Sequence, residues 1–114
     1  MILSIGTDLV QISKFSHSIE RTPELLQRIF LPSERVDMLS LHSLAGRFAL
    51  KEAVMKATKR QITEWHMIEI VSAPSGEPIL TVHHLQWQNC TYAISMSHDG
   101  DYAVAFVVIF NPMV

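Results

Sequence analysis

The sequence predicts an α+β protein, and three observations support this class. A short apolar run opens the chain, and apolar residues then recur at helical spacing up to about residue 58. The remaining runs have the apolar patterns of strands, and turn-forming residues separate them into pairs, as in antiparallel hairpins. Helices followed by strands, after one leading strand, are typical of α+β folds. The length of 114 residues fits one domain, which we predict to span residues 1–114.

The first elements are short. Residues 2–6 predict a strand that ends at a glycine, and residues 11–20 predict a helix because their apolar side chains fall on one face. Thr22 and Pro23 indicate the start of a second helix, since threonine can cap a helix and proline fits its first turn. Another short helix is predicted to follow residues 32–34.

The longest predicted helix covers residues 43–58, with Ser43 as its cap. One face of this helix carries an alanine every four residues, which would let it pack closely against a sheet or another helix. Two further rows run alongside that stripe. These three rows are Ala45, Ala49, Ala53 and Ala57; Phe48, Glu52 and Lys56; and Arg47 and Lys51.

Two strand pairs are predicted in the second half of the chain. Residues 67–71 and 79–82 flank a turn cluster, and residues 92–97 and 102–110 flank a turn that contains Asp99 and Gly100. Residues 102–110 are apolar on both faces, so we expect a central strand that is covered on both sides.

Composition excludes several classes of function. The net charge is −2 and no basic stripe is present, so the sequence does not indicate nucleic-acid binding. Cys90 is the single cysteine, which rules out an internal disulfide and a cysteine metal cluster. The first ten residues have no basic segment and contain Asp8, so they do not predict a signal peptide. No run approaches the roughly 20 apolar residues of a membrane span, and we expect a cytoplasmic protein.

Glu52 is the first candidate functional residue because it lies at the edge of the buried helix face. Lys56 lies one turn further on, and the pattern taken alone favours a surface ion pair between Glu52 and Lys56 over a functional role. Asp8 follows a predicted strand end and a glycine, where it could bind a hard cation or simply cap a turn. Two carboxylates with substrate phosphates are a usual way to hold Mg²⁺. His98, in a predicted turn, could donate to a phosphate or be an exposed turn residue.

Four blocks of the sequence resemble the acyl-carrier-protein synthase family, and they occur in the order of that family over nearly the whole chain. They are residues 6–10 (GTDLV), 45–57 (AGRFALKEAVMKA), 68–80 with its IEI and GEPIL segments, and 95–105 (SMSHDGDYAVA). The resemblance implies the 4'-phosphopantetheinyl transferase fold, in which a small antiparallel sheet packs against a long central helix. It implies a homotrimer with active sites at the subunit interfaces.

The resemblance also implies an activity: Mg²⁺-dependent transfer of 4'-phosphopantetheine from coenzyme A to a serine of apo acyl carrier protein, with release of adenosine 3',5'-bisphosphate. By motif match, Asp8 and Glu52 hold Mg²⁺ and Lys56 neutralises charge on the transferring phosphate. Arg47, Lys51 and His98 contact coenzyme A phosphates, with His98 reaching in from a neighbouring subunit. The helix from about Lys14 meets the acidic carrier protein.

The chain departs from the family pattern in places. Gln11 and Lys14 stand where the family has Glu and Arg, and residues 59–62 replace a glycine-rich segment. Lysine keeps the charge of arginine but loses its planar fork. Two other functions therefore remain open at this point: a Mg²⁺-dependent nucleotide diphosphate hydrolase, and a non-catalytic module that binds coenzyme A or a carrier protein.

Overall fold

The computed structural model describes residues 1–36 and 40–111. The first half of the chain forms β1 (Ile2–Gln11), α1 (Ile12–Arg21), α2 (Leu25–Ile29), α3 (Pro32–Arg35) and α4 (Leu41–Ala57). The second half forms a 3-10 helix (Trp65–Met67), β2 (Ile68–Ser72), β3 (Pro78–Val82), β4 (Thr91–Asp99) and β5 (Tyr102–Phe110). This order of elements confirms the predicted α+β class.

The strands form two antiparallel sheets. One has the order β1–β5–β4, and the other is the hairpin of β2 and β3. β5 is therefore central, as its apolar sequence predicts. One face of this strand is buried against α4 through Ala103, Ala105, Val107 and Ile109. On the opposite face Phe106 is 53% exposed, so residues 1–36 and 40–111 do not supply the predicted cover on that side.

Helix α4 packs on the sheet through its alanine stripe, and all four alanines are at most 1% exposed. The helix begins one turn earlier than predicted. The hydroxyl of Ser40, and not that of Ser43, caps it by accepting a hydrogen bond from the Ser43 backbone N–H at 3.2 Å.

Two strands are longer than the sequence predicts, because pairing with β5 extends them. β1 continues to Gln11, so Asp8 lies inside the strand opposite Ala105 and not beyond its end. β4 continues to Asp99, which pairs with Tyr102. His98 consequently lies in a strand opposite Ala103, and the hairpin turn consists of the two residues that follow Asp99.

Among residues 1–36 and 40–111, the helices lack the combination of length and hydropathy that spanning a membrane requires.

Candidate active site

A cleft of about 620 Å³ brings the two predicted carboxylates together. Asp8 comes from β1 and Glu52 from α4, and both line this cleft. Its other walls come from α1, α2 and the 3-10 helix, and they are mostly apolar. The side chains of Asp8 and Glu52 are 16% and 22% exposed, so both carboxylates are largely withdrawn from solvent but still accessible.

Glycine at position 6 allows β1 and α4 to approach closely enough to form this cleft. A Cβ atom built on Gly6 would lie 2.1 Å from the carbonyl oxygen of Ala53, a distance no side chain can occupy. Asp8 is two residues after Gly6 and Glu52 directly precedes Ala53. The glycine therefore sets the spacing of the two elements that carry the carboxylates.

Each carboxylate has a cation of its own. Lys56 Nζ lies 2.8 Å from Asp8 Oδ1 and also donates to the Thr7 carbonyl oxygen at 3.2 Å. Arg60 Nη1 lies 3.6 Å from Glu52 Oε2. The predicted ion pair between Glu52 and Lys56 is thus replaced by two others, because β1 places Asp8 within reach of Lys56. No sequence signal identified Arg60, since its contact depends on how the chain turns after α4.

Lys51 occupies a different environment from the one the sequence predicts. Its side chain is 0% exposed and donates to Glu34 Oε1 at 2.7 Å, to the Ile29 carbonyl at 2.7 Å and to the Trp65 carbonyl at 3.2 Å. Burial lowers the pKa of Lys51, while the hydrogen bond and charge of Glu34 oppose that shift. An ammonium whose three hydrogens are all used inside the protein cannot contact a coenzyme A phosphate in this conformation, so the phosphate contact predicted for Lys51 needs correction.

Arg47 and His98 lie together at a second pocket of about 210 Å³. The Arg47 side chain is buried and donates to the Ile70 carbonyl and to Ser72 Oγ, both at 2.8 Å. The imidazole of His98 lies 5.2 Å from that of His42, measured between ring centroids. Among the residues that the structure describes, this pocket shares none with the lining of the carboxylate cleft. Within one chain, Arg47 and His98 therefore line a different pocket from the predicted metal ligands Asp8 and Glu52.

Helix α1 contributes Lys14 to the wall of the carboxylate cleft, beside Gln11 at the end of β1. The tip of the β4–β5 hairpin holds the start of this helix. The Asp101 carbonyl accepts from the Ile12 backbone N–H at 2.7 Å, and Asp101 Oδ1 accepts from the Ser13 backbone N–H at 2.9 Å. The hydrogen bond from the Ser13 hydroxyl lowers the pKa of Asp101. Asp101 thereby caps α1 from a distant part of the chain.

The donor set suits a hard divalent cation that is shared with a ligand. The described part of the chain contains no cluster of three or more His, Cys, Asp or Glu residues able to enclose a metal ion. Two carboxylates on one accessible cleft match instead the usual arrangement for Mg²⁺, which keeps several water or phosphate oxygens in its coordination shell.

Known proteins are similar to this chain in sequence and in fold. Residues 4–107 match the model of the 4'-phosphopantetheinyl transferase superfamily. The holo-[acyl-carrier-protein] synthase of Leifsonia xyli is 40% identical, over 96% of this chain and 97% of that protein. The crystal structure of the Helicobacter pylori holo-[acyl-carrier-protein] synthase in complex with coenzyme A is 34% identical with a TM-score of 0.80, covering 92% of this chain and 98% of that one. The Neisseria meningitidis synthase is 29% identical with a TM-score of 0.84, covering 97% and 100%.

Proposed function

The chain belongs to the 4'-phosphopantetheinyl transferase superfamily and to its holo-[acyl-carrier-protein] synthases, and on that premise we propose a Mg²⁺-dependent transfer at the carboxylate cleft. Coenzyme A is the donor, a serine of apo acyl carrier protein is the acceptor, and adenosine 3',5'-bisphosphate is released. The observation that carries this proposal is that Asp8 and Glu52, from separate elements, line one cleft. We also propose a cytoplasmic location, which is consistent with coenzyme A and acyl carrier protein as the two substrates.

Asp8 and Glu52 are the residues that would hold the metal. Mg²⁺ supplies charge neutralisation for the diphosphate when it is bound. Phosphoryl transfer requires mainly that the protein position the reacting groups and place cations near the phosphate oxygens. The two carboxylates serve the first requirement, because the contact of Gly6 with Ala53 fixes the strand and the helix that carry them.

The reaction forms a bond between the serine oxygen and the β-phosphorus of coenzyme A and breaks the bond from that phosphorus to the bridging oxygen. Glu52 accepts the serine proton, since it is a cleft carboxylate that the C-terminal half of α4 holds in place. Lys56 neutralises charge on the transferring phosphate. The Lys56 side chain is 45% exposed and its ammonium already lies 2.8 Å from Asp8, so a small side-chain rotation brings it to a phosphate held beside Asp8.

We assign the phosphates of the nucleotide half of coenzyme A to the second pocket, with Arg47 and His98 as their ligands. Because this pocket and the carboxylate cleft are separate within one chain, the complete site combines the carboxylates of one subunit with the pocket that His98 lines on a neighbouring subunit. The open face of the three-stranded sheet supports such an assembly. Ile5, Leu9 and Phe106 are 70%, 63% and 53% exposed on it, and exposed apolar faces of this kind mark interfaces. A homotrimer buries this face.

The acyl carrier protein docks beside α1 in this proposal. Lys14 lies on the wall of the cleft, and His17 and Arg21 extend the same helix surface. An acidic partner bound at this surface has its serine next to the cleft that Asp8 and Glu52 line.

The test compares Asp8→Asn and Glu52→Gln with Glu64→Gln, an exposed carboxylate outside the cleft. We expect both cleft variants to retain assembly and coenzyme A binding but to lose transfer, and the control to be fully active. Full activity of both cleft variants would refute the assignment of the site.

A further inference from the structure

Arg60 has two unusual features that concern Glu52. Its guanidinium lies 3.6 Å from the Glu52 carboxylate, eight residues earlier in the chain. Its backbone has a φ of 62°, and the preceding Lys59 has a φ of 54°. Two successive left-handed residues that are not glycine carry conformational strain. This turn reverses the chain after α4 and brings the Arg60 side chain back to the face of the helix that carries Glu52.

The two cations that contact the cleft carboxylates, Lys56 and Arg60, differ in position. Lys56 belongs to α4 and is held by both the Asp8 carboxylate and the Thr7 carbonyl. Arg60 lies beyond the end of the helix, is 57% exposed and is not part of the cleft wall. Arg60 contacts Glu52, whereas Lys56 contacts Asp8, so each carboxylate of the cleft is paired with a different cation.

We propose that Arg60 is a positioning residue that acts through Glu52, as an internal counter-cation that competes with a divalent metal ion for this carboxylate. This inference rests on the proposed role of Glu52 as a metal ligand. A metal ion that binds Glu52 must displace the guanidinium or share the carboxylate with it, and the positive charges repel. Arg60 therefore weakens metal binding. Before a metal ion binds, the contact with the Arg60 guanidinium fixes the orientation of the Glu52 carboxylate.

The expected effect is modest because the pair is partly exposed to solvent. Exposed ion pairs contribute little, and loss of Arg60 should tighten metal binding by about two- to fivefold. Salt screens such interactions, so the gain should shrink as ionic strength rises. Arg60→Lys retains the charge, so its affinity for the metal ion should stay close to the weaker affinity of the wild type.

The experiment titrates the full chain with Mn²⁺ alone and follows binding by water-proton relaxation, which requires no catalysis. Arg60→Gln is compared with wild type and with Lys59→Gln, which removes one charge from the neighbouring left-handed residue. We expect tighter binding only for Arg60→Gln. Unfolding curves of both variants exclude a loss of the folded state as the cause of any change.

The outcomes separate this inference from the proposed function. If Glu52→Gln leaves Mn²⁺ affinity unchanged, or if wild type and Arg60→Gln both fail to bind Mn²⁺, the metal assignment is wrong and this inference is overturned with it. If Glu52→Gln weakens binding while Arg60→Gln matches wild type, only the inference on Arg60 is overturned. Equal gains in Arg60→Gln and Lys59→Gln would likewise overturn it, because the effect would reflect net charge.

Discussion

Replacing Lys51 with methionine should destabilise the protein strongly. Lys51 and Glu34 form an ion pair in which both side chains are 0% exposed. Lys51→Met keeps the length of the side chain but leaves the Glu34 carboxylate buried without its cation. The Glu34 carboxylate still accepts two backbone hydrogen bonds, from the N–H groups of Leu31 at 2.8 Å and Ile70 at 3.0 Å. Removal of one partner from a buried pair typically costs about 3–5 kcal/mol in the free energy of unfolding.

The assay is urea unfolding followed by tryptophan fluorescence at one fixed protein concentration, since assembly makes stability depend on concentration. Lys59→Met, at an exposed position, is the control and should change the free energy of unfolding by less than about 0.5 kcal/mol. Adding Glu34→Gln to Lys51→Met removes the unpaired charge. The double variant should therefore lose less stability than the sum of the two single variants.

One result would refute this reasoning. If Lys51→Met unfolds at the same urea concentration as wild type but binds coenzyme A at least about tenfold more weakly, a loss worth about 1.4 kcal/mol, then Lys51 contacts a phosphate. The phosphate contact that the family resemblance implies for Lys51 would then be right, and the buried ion pair would not describe the protein in solution.

Three further changes have defined outcomes. Gly6→Ala should cost about 3 kcal/mol of unfolding free energy, measured in urea, because the new Cβ meets a backbone oxygen at 2.1 Å. Asp101→Asn should be less stable than wild type at neutral pH. The lowered pKa of Asp101 means that its carboxylate stabilises the fold above pH 3.8 and that this contribution is lost as the pH falls through the folded-state pKa, so the thermal midpoints should converge in acid. Lys59→Gly should raise the free energy of unfolding by about 0.5–1 kcal/mol, because it relieves a left-handed conformation.

Each of these changes has a matched control. Gly46→Ala should not destabilise, since its new Cβ meets only Met96 Sδ at 3.8 Å. Asp99→Asn should lower the thermal midpoint at neutral pH less than Asp101→Asn does, because it is Asp101 that caps α1. Lys59→Ala should give none of the gain of Lys59→Gly, because alanine has a Cβ atom. A stable Gly6→Ala, an Asp101→Asn difference that persists in strong acid, or a destabilising Lys59→Gly would contradict the respective argument.

Local patterns were enough to predict most of the fold. The alanine repeat predicted the buried face of α4, and the apolar run at residues 102–110 predicted the central strand, because both signals depend on period alone. The ends of β1 and β4 could not be predicted in the same way. Pairing with β5 decides how far these strands continue, and it moved Asp8 and His98 from predicted loops into strands.

The candidate site was only partly predictable. Asp8 and Glu52 were identified and line one cleft. The row of Arg47 and Lys51 predicted two cations one turn apart, and the family resemblance implied that they contact phosphates, but a lysine pattern does not reveal an internal partner. Glu34 lies 17 residues before Lys51, and the packing of α3 and α4 against β2 brings them together. Arg60 was missed for the same reason, since its partner depends on a left-handed turn after α4.

The most direct test of the central claim is the mass of an apo acyl carrier protein after incubation with this protein, coenzyme A and Mg²⁺, measured by intact-protein mass spectrometry. The account predicts a gain of one phosphopantetheine group, which disappears with a chelator and in Glu52→Ala. Carrier mass unchanged across several carrier proteins while coenzyme A is hydrolysed would contradict it. An equal gain with the chelator, or in Glu52→Ala, would contradict the role given to the carboxylate cleft.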